Sequence, residues 1–435
     1  MADLAQLGQG LMSRYLASLA YPEYRKLWLA TSCSQSANWA LIVARAALVL
    51  QLPGGSAAWS GYVTFAAMIP SVLVSPVAGF LADRFDRRTV LACAYAVNVG
   101  DTLVLALLVI TGHIEPWMVV VLSAITGTAR STQMPAAQAL LANMVPREGL
   151  LNAVSLYQAT VQGSRFSGPF LILVVIWATG SQNWTFFLCS GLYLLGLTTV
   201  LSIRTVSRGV VQAGKIGEAF LRNMLAGLNF MYRHPLVLSI ILLVVAHCGM
   251  TMSFESLLPV LSKERLGMVS GASIMAGASY LMVAYGLGAL VTALALAGLT
   301  TERLRGQLFL GFAVLSGVTP VALALSPNVP LAMLAVAGMG VSQGGFMTLS
   351  HTMLQSLAPD AVRGRLLGVY NWHTTGFMAG FNLVNGTVVG FTQLSAAVTL
   401  AAGGIGFLIV IAFSFVRIPL RQIYARGVPV TEVSA

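Results

Sequence analysis

Several ionisable side chains in this sequence lie inside long apolar stretches. The stretch ANWALIVARAALVLQLP, residues 37 to 53, contains a single charged residue, Arg45. An ionisable group inside a bilayer costs about 2.5–3.5 kcal/mol on insertion scales, so such a group faces an ionic partner or a water-filled cavity. The full set is Arg45, Asp101, Arg130, Arg165, His247, Glu255, His351 and His373. These residue types predict an internal polar site.

Three arginines in this set face only two carboxylates. The planar guanidinium forms paired hydrogen bonds with carboxylate, phosphate and catecholate-like oxygens. We therefore expect an anionic or polar amphiphilic small molecule as substrate, because a lipophilic cation would require exposed acids. Trp39, Phe254 and Trp372 are candidates for the aromatic walls of its site.

The depth of each charge suggests how the charges pair. Arg45 lies 18 residues into the first apolar run and Glu255 lies 19 residues into the seventh, so each sits roughly 27–29 Å above the start of its helix. We expect Arg45 and Glu255 to pair, or to compete with substrate for each other. In the alternative, neutral neighbours such as Asn38 and Ser253 satisfy each charge separately. Asp101 is expected to neutralise one arginine.

The histidines raise the question of a metal. His247 stands beside Cys248, but adjacent helical residues point about 100° apart and do not naturally chelate one ion. We therefore expect no metal site, and His247 or His351 is instead a candidate proton carrier because histidine titrates near neutral pH. No nucleotide-binding P-loop of the form GxxxxGK[ST] is present, which favours an ion gradient as energy source, and no cofactor is expected.

The elements that position these residues are apolar runs. Hydrophobic residues make up 57% of the 435-residue chain and charged residues 9%, whereas a soluble domain carries about 25% charged residues. Runs of about 20 apolar residues span a bilayer, and twelve are predicted, which gives an all-α membrane protein. They are Leu27–Leu52, Trp59–Leu81, Val90–Thr111, Trp117–Leu141, Leu150–Trp177, Trp184–Ile203, Leu236–Leu261, Ala272–Leu299, Leu308–Leu325, Leu331–Leu357, Leu366–Val389 and Leu394–Val416.

The basic residues indicate topology rather than nucleic-acid binding. Of the 24 Lys and Arg residues, 19 fall on the side that holds both termini, two (Lys263 and Arg265) fall on the other side, and three lie inside spans. Positive charge marks the cytoplasmic face, so both termini are expected there, with anionic lipid headgroups as partners. All four cysteines lie within spans, so no disulfide is expected.

The chain divides into two similar halves. VPREGLLNAVSLY, from Val145, and APDAVRGRLLGVY, from Ala358, each follow the fourth span of their half. We predict six-helix bundles at 1–203 and 236–417, a cytoplasmic linker at 204–235 with an amphipathic helix, and a tail at 418–435. Duplicated halves are common in transporters, with the substrate site near the midplane between them.

A charged loop joins the second and third spans. In GFLADRFDRRTVL the sequence resembles the signature loop of the major facilitator superfamily, with Asp86 where that family has glycine. The matched loop positions, with that departure, are Gly79, Asp83, Arg84, Asp86, Arg87 and Arg88. The loop is expected to act as a conformational latch between the bundles, because its arginines can bind carboxylates or helix C-termini.

The resemblance also covers other stretches. GLNFMYRHPLV, VAYGLGALVTALAL and RGRLLGVYN are similar to the exporter branch that includes enterobactin exporters and macrolide-type efflux proteins. It implies that helices one, four, seven and ten line a central cavity. It also implies proton antiport, although two motifs match only in part: Arg130 and Gln133 are followed by Met134 in place of glycine, and GSRFSGP lacks its later glycines.

These observations predict a monomeric, proton-driven exporter of the bacterial inner membrane that rocks two bundles around a central site. An anionic, siderophore-like amphiphile is the favoured substrate, with broad drug efflux and lysophospholipid transport as alternatives. An enzyme is not expected, because no nucleophile–base or metal constellation has convincing spacing. A receptor is disfavoured by the short tail after Arg417.

Overall fold

A computed structural model describes residues 16–74, 84–205, 207, 216–296, 301–392, 394–416, 421 and 423–425. Every regular element in these ranges is helical, which confirms the all-α class. A short 3₁₀ helix spans Ala17–Ala20. The α-helices are α1 Pro22–Val49, α2 Ala57–Met68, α3 Pro70–Leu73, α4 Arg87–Thr111, α5 Pro116–Leu141, α6 Arg147–Thr179, α7 Trp184–Leu201, α8 Ile216–Arg233, α9 Pro235–Met250, α10 Leu258–Glu264, α11 Gly271–Leu296, α12 Glu302–Leu325, α13 Val329–Leu357, α14 Asp360–Phe391 and α15 Ala396–Val416.

Seven of the described helices are long and apolar enough to cross a membrane: α4, α6, α7, α11, α12, α13 and α15. The pair α8 and α9, bent by 108°, adds an eighth span when the two are counted as one. Helix α1, with 28 residues, carries many buried polar side chains and has low overall hydrophobicity. Such a helix is not detected by hydropathy although its polar residues face protein rather than lipid. The count of twelve spans therefore stays a prediction.

The predicted seventh span is not one continuous helix. It breaks after Met250, and α10 restarts at Leu258. Ser253 Oγ donates to the Cys248 carbonyl at 2.7 Å, and Gln343 Nε2 donates to the Thr251 carbonyl at 2.9 Å. Irregular backbone at membrane depth is tolerated where such partners satisfy it.

Helices of one half pack mainly on each other. In the first half α1 packs on α6 and α7, α4 on α5 and α7, and α2 on α5. In the second half α11 and α12 pack on α13, and α9 packs on α14 and α15. The halves meet along two seams, α2 with α14 and α6 with α11.

Glycine allows the closest approach along the first seam. A Cβ atom on Gly386 of α14 would lie 2.5 Å from the Cα atom of Gly61 in α2. Small residues of this kind let helix backbones touch inside membranes, where packing rather than the hydrophobic effect holds helices together.

The amphipathic helix expected in the linker is present as α8. It packs on α14, with Met231 buried and Arg222 and Tyr232 exposed. We call the end of the bundle that carries α8 and residues 84–88 the linker end. At the opposite end Gln51 Nε2 contacts Gln182 Oε1 at 3.2 Å and the Gly271 carbonyl at 3.3 Å. We call this the closed end, because the contact with Gly271 joins the two halves there.

Candidate functional site

A cavity of about 730 Å³ lies between the halves and reaches α8 at the linker end. Its wall includes three arginines, Arg130, Arg165 and Arg365, and no carboxylate among the described residues that line it. Two tryptophans, Trp39 and Trp372, are also in the wall. Six methionines complete its apolar part: Met68, Met134, Met224, Met252, Met347 and Met378. The cavity can therefore hold an apolar body and a negative group together.

Arg165 is the most firmly positioned of these arginines. Its guanidinium lies 4.5 Å from the centre of the Trp39 ring, and its Nη1 donates to the Tyr285 hydroxyl at 3.1 Å. Cation–π contacts hold a guanidinium without neutralising its charge. Because Tyr285 belongs to α11, this contact also joins the two halves.

Arg130 and Arg365 add positive charge along the cavity. Arg130 is half-buried on α5, and Arg365 is exposed near the start of α14 at the linker end. No described carboxylate lies within ion-pair distance of either guanidinium. An arginine without a carboxylate partner can bind an anionic oxygen through charge-assisted hydrogen bonds.

Arg45 does not pair with Glu255, so that expectation was wrong. Arg45 Nη2 lies 2.5 Å from Asp101 Oδ2, and both side chains are almost fully buried. Its Nη1 donates to the Thr126 hydroxyl at 3.0 Å. Asp101 thus neutralises an arginine, and Arg45 lies inside the first half rather than in the wall of the cavity.

Glu255 lies in the break between α9 and α10. Its Oε2 accepts a hydrogen bond from Asn382 Nδ2 at 3.1 Å, so a neutral neighbour satisfies it. The residue is buried towards the closed end, outside the wall of the cavity. The adjacent Phe254, expected as an aromatic wall, instead packs on Tyr285 with ring centres 5.2 Å apart.

The histidines also lie outside the wall of the cavity. His247 is fully buried in the second half, where its Nε2 is 2.8 Å from Ser316 Oγ and its ring lies 4.4 Å from that of Phe346. His351 is half-buried, with its ring 5.6 Å from that of Tyr370. His373 Nδ1 donates to the Val369 carbonyl at 2.7 Å. Among the described residues no group of three His, Cys, Asp or Glu side chains could hold a metal ion.

Part of the signature loop is visible in the structure. Asp86 caps α4, since its Oδ1 accepts the Arg88 backbone N–H at 3.0 Å. Arg87 Nη1 donates to the Ala139 carbonyl near the end of α5, and Arg88 Nη2 donates to the Leu201 carbonyl at the end of α7. These bonds tie α4 to two helix C-termini of its own half. Gly79 and Asp83 lie outside the described residues. Arg84 is a described residue and interacts with at least one other group.

Four residues that the sequence offered as site candidates, Arg130, Arg165, Trp39 and Trp372, line the same cavity. Arg365 and the methionines were not among the candidates. Arg365 stands one residue before the predicted eleventh span, so it counted as a loop charge. The 18 methionines of the chain were a usable signal, because flexible thioether side chains are common in binding surfaces that accept varied ligands.

A family model described as a transmembrane secretion effector matches residues 13–431. The chain is 25% identical over 338 residues to the multidrug efflux pump Tap of Mycolicibacterium fortuitum, covering 76% of this chain and 80% of Tap. It is 27% identical over 349 residues to the enterobactin exporter EntS of Escherichia coli O1:K1, covering 80% of each protein. Both relatives are membrane transporters of the major facilitator superfamily.

Solved structures share the fold at low identity. A variant of the nucleoside transporter NupG superposes with a TM-score of 0.72 at 13% identity, covering 91% of this chain and 99% of NupG. A bacterial homologue of the human lysosomal transporter Spinster, in an inward-facing, unoccupied conformation, superposes with a TM-score of 0.66 at 14% identity, covering 93% of this chain and 98% of that protein.

Proposed function

The chain belongs to the transmembrane secretion effector family of the major facilitator superfamily, and from that premise we propose that it exports an anionic amphiphile. The observation that carries this proposal is a cavity whose wall holds three arginines, no described carboxylate, six methionines and two tryptophans. Arginines attract anionic oxygens and repel a lipophilic cation. The substrate class is therefore a small molecule with a negative group on an apolar body, as in a siderophore.

We propose alternating access as the mechanism. Twelve spans form two bundles, with both termini and the linker end in the cytoplasm of a bacterial cell. In the structure the cavity reaches the linker end, and Gln51 and its partners join the halves at the closed end. Rocking the bundles about their two seams would separate Gln51 from Gly271 at the closed end. The same movement would close the cavity at the linker end, where α8 lies. The arginines of the signature loop then latch the linker end.

Proton coupling belongs to the same proposal. The membrane potential, negative inside the cell, favours export of an anion, but export against a steep concentration gradient needs a further source of energy. The proton gradient is the source we propose, because the sequence holds no P-loop. The protein works in the inner membrane as a monomer.

A second candidate is broad-specificity drug efflux. Two observations favour it: one relative is a multidrug efflux pump, and the methionines of the cavity can repack around varied apolar shapes. The two candidates differ in the sign of charge that the cavity prefers.

Ligand-induced thermal stabilisation of the purified protein tests the proposal. A ligand that binds only the folded state raises the melting temperature by mass action. The probes are enterobactin, an anionic lysophospholipid and tetraphenylphosphonium. We expect an anion to stabilise the wild type, and Arg130→Gln and Arg165→Gln to need about tenfold more of it, since a charge-assisted hydrogen bond is worth about 1.5–3 kcal/mol.

Arg303→Gln is the matched control, because Arg303 is exposed and lies outside the wall of the cavity. It should respond as the wild type does. Stabilisation by tetraphenylphosphonium alone would favour drug efflux. An anion effect that survives both cavity substitutions would remove the arginines from the site.

A further inference from the structure

The interior of the first half contains buried polar atoms without hydrogen-bond partners. Two of them are hydroxyl groups, Thr31 Oγ1 and Thr185 Oγ1. The other seven belong to six residues that are all more than nine-tenths buried: Gln35 Oε1, Asn38 Nδ2, Arg45 Nε, Asn98 Nδ2 and Oδ1, Asp101 Oδ1 and Gln133 Nε2. An unpartnered buried polar group costs about 1–3 kcal/mol, and buried waters usually satisfy such groups.

These residues form stripes on three helices. On α1, Gln35, Asn38 and Arg45 are spaced by three and seven residues, which places them on one face. On α4, Asn98 and Asp101 are three residues apart, again on one face. The stripes meet where Arg45 and Asp101 form their ion pair.

Helix α5 supplies the third stripe and links it to the cavity. Thr126 donates to Asp101 Oδ2 at 2.5 Å, and Arg130 and Gln133 follow it at intervals of four and three residues. Because α5 runs opposite to α1, both stripes extend from the ion pair towards the linker end, over about 10–15 Å of helix axis. Arg130 also lies in the wall of the cavity, so the stripes meet the cavity there.

We infer that the three stripes enclose a hydrated proton route from the cavity to Asp101, and that Asp101 carries the coupling proton. This inference rests on the proposed proton-coupled export and names the residue that would couple it. The second half offers a weaker rival, because His247 Nδ1 and Gln343 Oε1 are its unpartnered buried atoms among the described residues. Glu255 there is bonded by Asn382.

The proton step needs no movement of the backbone. A hydronium ion in the route gives its proton to Asp101 Oδ1, the oxygen without a partner, and remains as water. The neutral carboxylic acid donates its new O–H to a water of the route. Arg45 keeps its bonds to the Thr126 and Ser123 hydroxyls but loses its counter-ion, so the protonated state is less stable than the ion pair.

Other charged and titratable groups face Asp101 from the helices packed against it. Arg45 faces it from α1, Arg130 lies one turn from Thr126 on α5, and α7 contributes Cys189 and Tyr193, which interact electrostatically with the ion pair. Two cations therefore act on Asp101, and the route must deliver protons past Arg130.

Infrared difference spectroscopy on the full chain in liposomes tests the carrier. The sample is moved from mildly alkaline to mildly acidic buffer, and the C=O stretch of a buried carboxylic acid is recorded. We expect a signal in the wild type that Asp101→Asn loses and Glu255→Gln retains. A signal lost in Glu255→Gln and kept in Asp101→Asn would overturn the inference, as would a wild type without any such signal.

A second pair of variants tests the route and does not alter the carrier. Asn98→Leu keeps the side-chain size but removes both unpartnered atoms, and should slow the response of the signal to a rapid pH change by about tenfold or more. Thr102→Val is the control on the same helix, because the Thr102 hydroxyl donates to the Asn98 carbonyl of its own helix at 2.7 Å. Equal rates in the two variants would contradict a route past Asn98.

The two proposals fail separately. The infrared signal does not require a transported ligand, whereas thermal stabilisation by enterobactin does not require Asp101 to titrate. Anion binding without an Asp101 signal would leave the export proposal standing and remove the carrier. An Asp101 signal without anion binding would do the reverse.

Discussion

The two halves of the molecule treat their buried carboxylates differently. Asp101 in the first half forms an ion pair with Arg45 among polar stripes. Glu255 in the second half accepts a single amide N–H from Asn382, and Phe254 beside it packs on Tyr285. The same sequence feature, a single acidic residue in an apolar run, is therefore found in two different structural environments. What decides between them is the set of neighbouring helices, which supplies a cation in one half and an amide in the other.

The largest expected effect concerns the stability of these two sites. Asp101→Ala leaves the Arg45 guanidinium buried without a counter-ion, which should lower the free energy of unfolding by about 3–5 kcal/mol. Glu255→Gln keeps a carbonyl oxygen for Asn382 and should cost about 1 kcal/mol. Thermal unfolding of the purified variants measures both. Equal losses would erase the difference between the halves, and adding Arg45→Leu should recover part of the Asp101→Ala loss.

The seam between the halves gives the next effect. Gly386→Ala would place a Cβ atom 2.5 Å from the Gly61 Cα atom, so α2 and α14 must separate. Overpacking of this kind costs about 1–3 kcal/mol. Gly380→Ala on the same helix is the control, because a Cβ atom there has no neighbour within 4 Å. Equal decreases in the melting temperatures of the two variants would argue against a tight α2–α14 seam.

A smaller effect is expected at the hydrogen bond that crosses the second seam from Arg165, a residue of the cavity wall, to Tyr285. Tyr285→Phe removes the acceptor of Arg165 Nη1, which should weaken binding of an anionic ligand by about 1 kcal/mol, or about fivefold in Kd. Tyr280→Phe is matched to it, since the Tyr280 hydroxyl also accepts a bond across α6 and α11, from Trp177, but outside the cavity. Ligand titrations should separate the two variants.

The smallest effect concerns the signature loop. Asp86 caps α4 through the Arg88 N–H, so Asp86→Ala should cost about 1 kcal/mol of stability while Asp86→Asn, also a good cap, should cost little. Thermal unfolding compares them. A transport defect in Asp86→Asn without loss of stability would instead assign the carboxylate to the latch.

The sequence allowed the helical class, the family and the arginine-rich interior to be predicted, because apolar runs and charge counts report composition along one dimension. The pairing of Arg45 with Glu255 failed because depth along a helix gives no angle around it. Trp39 of α1 lines the cavity, whereas Arg45, six residues later, is turned by about 240° around the helix from Trp39 and contacts Asp101 of α4 and Thr126 of α5. The angle depends on which helices pack on α1.

The break in the seventh apolar run was the second feature that the sequence did not predict. The seventh apolar run appeared continuous, yet it breaks at residues 251–257, where serine and threonine side chains take over backbone bonds. That break sets the surroundings of Glu255. Asn382 and Gln343, which form hydrogen bonds with the backbone of this break, come from helices distant in sequence. No local sequence pattern therefore predicts the break.

Transport itself can be measured in inside-out proteoliposomes with an imposed pH gradient, using enterobactin and tetraphenylphosphonium as alternative probes. We predict that the wild-type protein accumulates the anion and that collapse of the gradient stops this accumulation. The double variant Arg130→Gln with Arg165→Gln should accumulate less of the anion by a factor of about ten or more, because it has lost charge-assisted hydrogen bonds. Accumulation of tetraphenylphosphonium in place of the anion, or anion uptake that the double variant leaves unchanged, would contradict export through an arginine-lined cavity.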